Sequence, residues 1–326
     1  AEDEIAGITS AIGAAFGGYL AATTTSGPGV SLKTEAIGLA ILTELPLVIV
    51  NVQRSGPSTG LPTKPEQSDL LQAMYGRHGE APMPVLAAAS ASDCFNMTVE
   101  AARLALKYMT PVILLTDGYI GQATEPWKIP GMEELPDLTP EFAKDPETFA
   151  PYKRDPVTLS RPWAIPGTQG LEHRIGGLEK ADVTGHVSHD PMNHQKMVEL
   201  RKEKIEGIVN DIPELELTGN KEGDLLVLSW GSTYGAAKTA YDKLIDEGHK
   251  LSFAHLKYIH PFPKNLGEIL FSFKRIFIPE MNMGQLKTII QSTYLVPVIG
   301  MHKVQGKPFK ACLLYTSPSP RDNQPH

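Results

Sequence analysis

Cysteine is scarce in this chain. Two residues, Cys94 and Cys312, among 326 provide no disulfide framework and no cysteine-held zinc or iron–sulfur centre. A basic surplus is missing too. Thirty Lys and Arg stand against 37 Asp and Glu, a net charge of −7, so no phosphate-tracking footprint for nucleic acid exists. Long hydrophobic runs are absent. The densest, Leu45–Val50, is far short of the ~20 residues that span a bilayer. Neither a G-x-G-x-x-G turn nor a P-loop occurs, and no short-period repeat is visible.

What is present suits a globular α/β protein. Apolar residues make up 41% and charged residues 21%, and the length accommodates two ordinary domains. Ile5, Ile8, Ile12 and Phe16 have helical spacing, as do Leu32, Ala36 and Leu39. Short apolar strands are expected at Pro46–Asn51, Pro84–Ala88 and Val112–Leu115, with a helix carrying Phe95, Val99, Ala102, Leu106 and Met109 before the last. Near-continuous apolar strands alternating with amphipathic helices indicate a parallel sheet covered on both faces. Closely spaced prolines from Pro130 to Pro166 exclude long helices there. His173, His186, His189, His194 and Asp190 fall in the same stretch, but their spacing matches no standard metal site, and the stretch reads as a polar surface connector. A helix is expected at Met197–Val209. A second α/β unit begins at Asp224, with strands at Leu225–Ser229, Leu251–Tyr258, Arg275–Glu280 and Tyr294–Ile299.

Both ends are expected to be truncated. The chain does not begin with Met and enters a core-helix pattern directly after Ala1-Glu2-Asp3-Glu4. The string Cys312–Asp322 matches one translated frame of a common transposase sequencing adapter, so residues 312–326 are expected to be an artefact of an environmental gene fragment. A Ser/Pro-rich flexible tail is the alternative.

Three segments are candidates for chemistry. Thr25-Ser26-Gly27-Pro28-Gly29 is either a turn that starts a helix or a phosphate cradle on helix N–H groups. Arg54 follows directly after the strand Pro46–Asn51, where ligands sit in open α/β sheets, and its planar fork suits a carboxylate. Glu4 opens the first helix, as a dipole-capping charge or as a catalytic carboxylate.

Taken together, Gln53–Thr63, Glu66–Gln72, Tyr75–Glu80, Thr116–Tyr119, His260–Pro263 and Pro279–Leu286 resemble the alpha subunit of a 2-oxoacid:ferredoxin oxidoreductase, most closely the 2-oxoglutarate type. The resemblance covers residues 1 to about 310. It implies a pyrimidine-type thiamine-diphosphate-binding parallel-sheet domain at 1–130, a connector at 131–220 and a transketolase C-terminal-like α/β domain at 221–311. It implies that Glu4 is the carboxylate that activates the cofactor by bonding N1′ of its aminopyrimidine, and that Arg54 binds the C1 carboxylate of the 2-oxoacid. The implied reaction converts 2-oxoglutarate and coenzyme A to succinyl-CoA and CO2 and reduces ferredoxin. Thiamine diphosphate would be shared with a beta subunit, with Mg and the iron–sulfur cluster held in partner chains, and the location would be cytoplasmic. Pyruvate or branched-chain 2-oxoacids remain alternative substrates. Another thiamine-dependent dehydrogenase or transketolase-like chain and a non-catalytic assembly subunit are the rival readings. The family's Tyr-Pro-Ile-Thr-Pro segment, whose Thr also contacts substrate, has no counterpart in these residues.

Overall fold

The computed structural model describes residues 1–316; the end of the adapter-like string, 317–326, lies outside the described residues. The chain opens on α1 (Glu4–Phe16), β1 (Ala21–Thr25), α2 (Gly27–Thr43) and β2 (Leu47–Gln53). Next come α3 (Leu70–Tyr75), β3 (Val85–Ala87), α4 (Ala91–Tyr108) and β4 (Pro111–Asp117). A long segment of bends, turns and isolated bridges leads to α5 (Pro191–Gly207). The second half contains β5 (Leu217–Thr218), β6 (Gly223–Trp230), α6 (Tyr234–Asp246), β7 (Ser252–Leu256), β8 (Tyr258–His260) and α7 (Leu266–Phe271). It ends with β9 (Phe273–Glu280), α8 (Gln285–Tyr294), β10 (Val298–His302) and α9 (Ala311–Tyr315).

Two five-stranded sheets result, in the orders β1-β2-β4-β3-β8 and β10-β9-β6-β7-β5. Each is parallel except for one antiparallel edge strand, β8 and β5 respectively. Alternation within the first sheet decides what covers it. Leu47, Ile49, Ile113 and Leu115 face α1 and α2, whereas Val48, Val112 and Leu114 face α4 and Ile205, Ile208 and Ile212. Both faces are therefore dry, which is why its strands read as continuous apolar runs. The first of these cores continues without a break into Leu226, Leu228, Trp230, Ile276 and Ile278 of the second sheet.

The stretch expected as a single strand at Leu251–Tyr258 is divided. β7 pairs in the second sheet, and two residues later β8 pairs with β3 in the first. Lys257 sits at the changeover, where its carbonyl accepts from Ala87 N–H at 2.7 Å and its ammonium meets Asp93 at 2.7 Å. The last strand also differs from expectation. Tyr294 ends α8, Leu295 closes that helix in the left-handed region (φ 55°), and the strand starts at Val298. α5 starts at Pro191, because Asp190 caps it by accepting from Met192 N–H at 2.9 Å. The start of the adapter-like string is helical: Cys312–Tyr315 lie in α9, and Leu314 is buried in the cluster that contains α6.

The proline-rich stretch is fastened to the first sheet's helices by buried charge. Glu44 caps α2 in the left-handed region (φ 50°) and is fully buried. Arg154 grips its carboxylate with two bonds of 2.6 and 2.8 Å, and Lys204 adds a third at 2.5 Å. Arg161 donates to the Thr43 and Glu44 carbonyls at 2.9 and 3.2 Å, at the negative end of the helix dipole.

Candidate active site

β1, β2 and β4 end on the same edge of the first sheet, and polar side chains collect there. The centre of the arrangement is the first turn of α2. Ser26 precedes it with extended backbone, and Pro28 occupies its second position, so the chain turns sharply from β1 into the helix. Gly29 must be glycine. A Cβ there would lie 1.9 Å from Thr25 Oγ1 and 2.8 Å from Glu4 Cγ. Glu4 is therefore packed against this turn. Asp3 caps α1, accepting from Ala6 N–H at 2.7 Å, so Glu4 is not spent on capping. No described residue hydrogen-bonds the Glu4 carboxylate, and the residue is half-buried.

Arg54 reaches the same turn from the end of β2. Its Nε lies 3.4 Å from Ser26 Oγ, and its Nη1 donates to the Ser58 and Thr59 carbonyls at 3.0 and 2.9 Å. The loop thus pins one edge of the guanidinium, and Nη2 makes no hydrogen bond to a described residue. Glu4 and Arg54 border one helical turn from two sides.

Asp69 is a third charge at this turn, and it was not singled out from the sequence. A Cβ on Gly27 would lie 2.5 Å from its Oδ2, so the carboxylate rests on the start of α2. Burial pushes the Asp69 carboxyl up, against the pull of the Asn51 amide, which donates to it at 3.1 Å. The start of α2 therefore holds a carboxylate, and the phosphate-cradle reading of Thr25–Gly29 has no room. Asn51 is fully buried, and its Oδ1 has no hydrogen-bond partner among the described residues. The glycine-lined approach beside Glu4 leaves room for the flat ring of an aminopyrimidine. Among the described residues, no group of three His, Cys, Asp or Glu could hold a metal ion.

Gln67 explains why its neighbourhood is so distinctive in sequence. It is fully buried between the two sheets. Its Nε2 donates to the Trp230 carbonyl at 2.8 Å, and its Oε1 accepts from Met281 N–H at 2.9 Å. Asn282 Nδ2 donates to its carbonyl at 2.8 Å, and Gln285 bonds Ser68 O at 2.7 Å and Leu71 N–H at 2.9 Å. Glu280 completes the mount by accepting from Leu286 N–H, Asn282 Nδ2 and Trp230 Nε1 at 2.8, 3.1 and 3.2 Å. The Gln67–Gln72 and Pro279–Leu286 segments therefore join the two units behind the site. At the end of β4, the buried Asp117 carboxyl is pushed up by burial and accepts from the Ser232 hydroxyl of the second unit.

The histidines of the connector do not converge. His194 contacts Glu179 at 2.7 Å, and His173 bonds the Leu171 carbonyl.

Two largely parallel sheets with helices on their faces define a two-unit α/β architecture. A split-gene transketolase aligns over 98% of the chain with a TM-score of 0.50 at 14% identity, which is a likeness of fold alone. The model of the pyruvate flavodoxin/ferredoxin oxidoreductase thiamine diphosphate-binding family matches residues 1–192, and that of pyruvate:ferredoxin oxidoreductase core domain II matches 223–309. The chain belongs to this oxidoreductase family. It is 54% identical to the 2-oxoglutarate oxidoreductase subunit KorA of Mycobacterium tuberculosis, over 95% of this chain and 48% of that one. It is 36% identical to the 2-oxoglutarate synthase subunit KorA of Archaeoglobus fulgidus, over 87% and 75%. A solved 2-oxoglutarate:ferredoxin oxidoreductase from Magnetococcus marinus, with 2-oxoglutarate, coenzyme A and succinyl-CoA bound, superposes with a TM-score of 0.92 at 36% identity, over 97% of this chain and 55% of that one. The chain thus spans about half the length of the mycobacterial and Magnetococcus proteins.

Proposed function

We propose that this chain is the alpha subunit of a 2-oxoacid:ferredoxin oxidoreductase that converts 2-oxoglutarate and coenzyme A to succinyl-CoA and CO2 and passes two electrons to ferredoxin. The observation that carries the reading is the placement of Glu4 and Arg54 on two sides of one helical turn at the carboxyl edge of the sheet. Kinship favours 2-oxoglutarate over pyruvate and branched-chain acids, since the relative at 54% identity bears that substrate in its name. The chain is assigned the pyrimidine half of the cofactor site, and a beta partner the diphosphate, its Mg and the iron–sulfur cluster; this fits the two separated cysteines and the lack of a metal-holding cluster among the described residues.

Thiamine diphosphate, when bound, supplies the carbon nucleophile for decarboxylation of a 2-oxoacid. Glu4 holds a proton at N1′ of the aminopyrimidine, and its half-buried carboxylate has no competing partner among the described residues. Arg54, steadied by two loop carbonyls, turns its remaining donors to the substrate carboxylate, which acts mainly by positioning.

The test is Glu4→Gln in the complex with the beta partner. The amide retains shape and one hydrogen bond, so the cofactor should still bind. Hydrogen–deuterium exchange at its C2 should slow by about 10²–10⁴-fold, the usual worth of an acid–base partner. Exchange at the wild-type rate would reduce Glu4 to a helix-terminal charge.

A further inference from the structure

Arg54 heads a loop, residues 54–64, that folds back on itself. The guanidinium donates to the Ser58 and Thr59 carbonyls at its far side. Ser55 N–H closes the neck by donating to the Lys64 carbonyl at 2.8 Å, and Lys64 N–H donates to the Leu61 carbonyl at 3.2 Å. Ser58 and Thr63 are in the left-handed region (φ 53° and 62°), which strains a residue that has a side chain. Strained residues persist where the surrounding structure over-determines them. What presses on this loop from outside therefore matters to where Arg54 stands.

The second unit supplies that pressure. After β10 the chain bends through residues 303–308 and lays Gly306 against the neck of the loop. Gly306 is buried, with φ 62°. A Cβ there would lie 2.8 Å from Lys64 Cβ, 3.1 Å from Ser55 Oγ and 3.2 Å from Leu61 Cδ1. Ser55 is 1% exposed, and its hydroxyl has no hydrogen-bond partner among the described residues, so the seat works by shape. The bend that carries Gly306 is itself tied down. Lys303 N–H donates to the Glu280 carbonyl at 3.0 Å, and the Lys303 ammonium donates to the Lys307 and Pro308 carbonyls at 2.6 and 3.2 Å. Phe309 follows directly and is buried in the second unit's core. Because Glu280 also belongs to the joint around Gln67, seat and joint form one continuous mount.

We propose that Gly306 is a positioning residue for Arg54: it seats the neck of the 54–64 loop and so sets where the free edge of the guanidinium meets the 2-oxoacid carboxylate. The second unit thereby acts on substrate binding without touching the substrate. This inference rests on the Arg54 reading. A methyl group at position 306 fits only if the neck retreats by roughly 0.7 Å, toward an ordinary carbon–carbon separation of about 3.5 Å. Misplacing a positioning group by about 1 Å costs up to about 100-fold, so a shift of this size is worth about tenfold. The loss falls on KM, because Glu4 and its helix are not displaced.

The experiment is steady-state kinetics for 2-oxoglutarate on the alpha–beta complex. Gly306→Ala should raise KM about tenfold and leave kcat within about twofold. Gly248→Ala is the control for backbone strain. Gly248 is also left-handed (φ 86°) and in the second unit, but open space surrounds it, so KM should stay at the wild-type value. In an Arg54→Ala background, Gly306→Ala should add nothing to KM, whereas a merely structural defect would persist there. Lys303→Met unties the bend and should raise KM in the same Arg54-dependent way; it decides the matter if Gly306→Ala does not assemble. A wild-type KM in the deciding variant, an equal rise in Gly248→Ala, or an undiminished rise in the Arg54→Ala background overturns the Gly306 assignment. Arg54→Ala alone separates the two claims. If it raises KM while the Gly306 and Lys303 variants do not, only the Gly306 assignment falls; if it leaves KM unchanged, both fall.

Discussion

Gln67→Glu tests the joint behind the site with almost no change of shape. One oxygen of the introduced carboxyl can still accept from Met281 N–H, now bonded at 2.9 Å. The other would face the Trp230 carbonyl, where the amide now donates at 2.8 Å. Only a protonated carboxyl can donate there, so its folded pKa must lie above that of an ordinary glutamate. Stability is therefore untouched below about pH 4.3 and falls as pH rises toward the folded value. Buried carboxyls rise by up to 3–5 pH units, which makes the loss at pH 8 roughly 4 kcal/mol. Gln67→Met is the pH-independent control. It strands Met281 N–H, at about 1–3 kcal/mol, whereas the Trp230 carbonyl retains Thr233 Oγ1 at 2.7 Å. Each kcal/mol moves the melting midpoint of a chain near this size by about 2–4 °C. Calorimetric melts at pH 5 and pH 8 should show a constant deficit for Gln67→Met and a widening one for Gln67→Glu. A Gln67→Glu protein as stable as wild type at pH 8 would show that the joint does not depend on this amide.

Two further outcomes are expected. Burial alone would raise the Glu44 carboxyl, but Lys204 and Arg154 outweigh it and hold it at about 2. The associated stability, about 3 kcal/mol, is present above pH 4.5 and lost as pH falls toward 2, so Glu44→Gln should flatten the acid limb of a stability–pH curve; an unchanged limb would place the acid sensitivity elsewhere. Arg54→Ala should lower kcat/KM for the 2-oxoacid by about 30- to 1000-fold, mostly through KM, and Arg54→Lys should not restore it, because a single ammonium lacks the planar fork that gives one nitrogen to the Ser58 and Thr59 carbonyls and leaves another for the carboxylate. Unaltered kinetics would remove Arg54 from the site.

Local pattern carried most of the elements. Strands expected at Pro46–Asn51 and Val112–Leu115 appear as Leu47–Gln53 and Pro111–Asp117, since a strand dry on both faces is apolar throughout. Helical spacing placed α1, α2 and α4, although Ile5 and Leu32 of those patterns are 53% and 55% exposed. The division at Lys257 was not legible, because β7 and β8 are both apolar and only the partner strands differ. Nor was the polar joint. Gln67 looks like any loop glutamine until Trp230 and Met281, 163 and 214 residues away, are brought to it. Glu4 and Arg54 were legible as candidates because each stands at the end of a regular element. Asp69 and Gly306 draw their meaning from neighbours on other elements, which spacing along one element cannot reveal.

The placement of β8 bears on how this chain can be taken apart. Residues 1–192 would make a natural-looking expression unit, yet that piece would keep Val85–Ala87 and lose Tyr258–His260. Its first sheet would end in an apolar strand with bare N–H and C=O groups, a template for pairing with other copies. The complementary piece, 223–309, would carry the missing strand with no sheet to receive it. Dissection at the sequence boundary should therefore yield two sticky halves. A soluble first half would need the 258–260 strand returned to it, as a grafted hairpin or as a peptide supplied in trans.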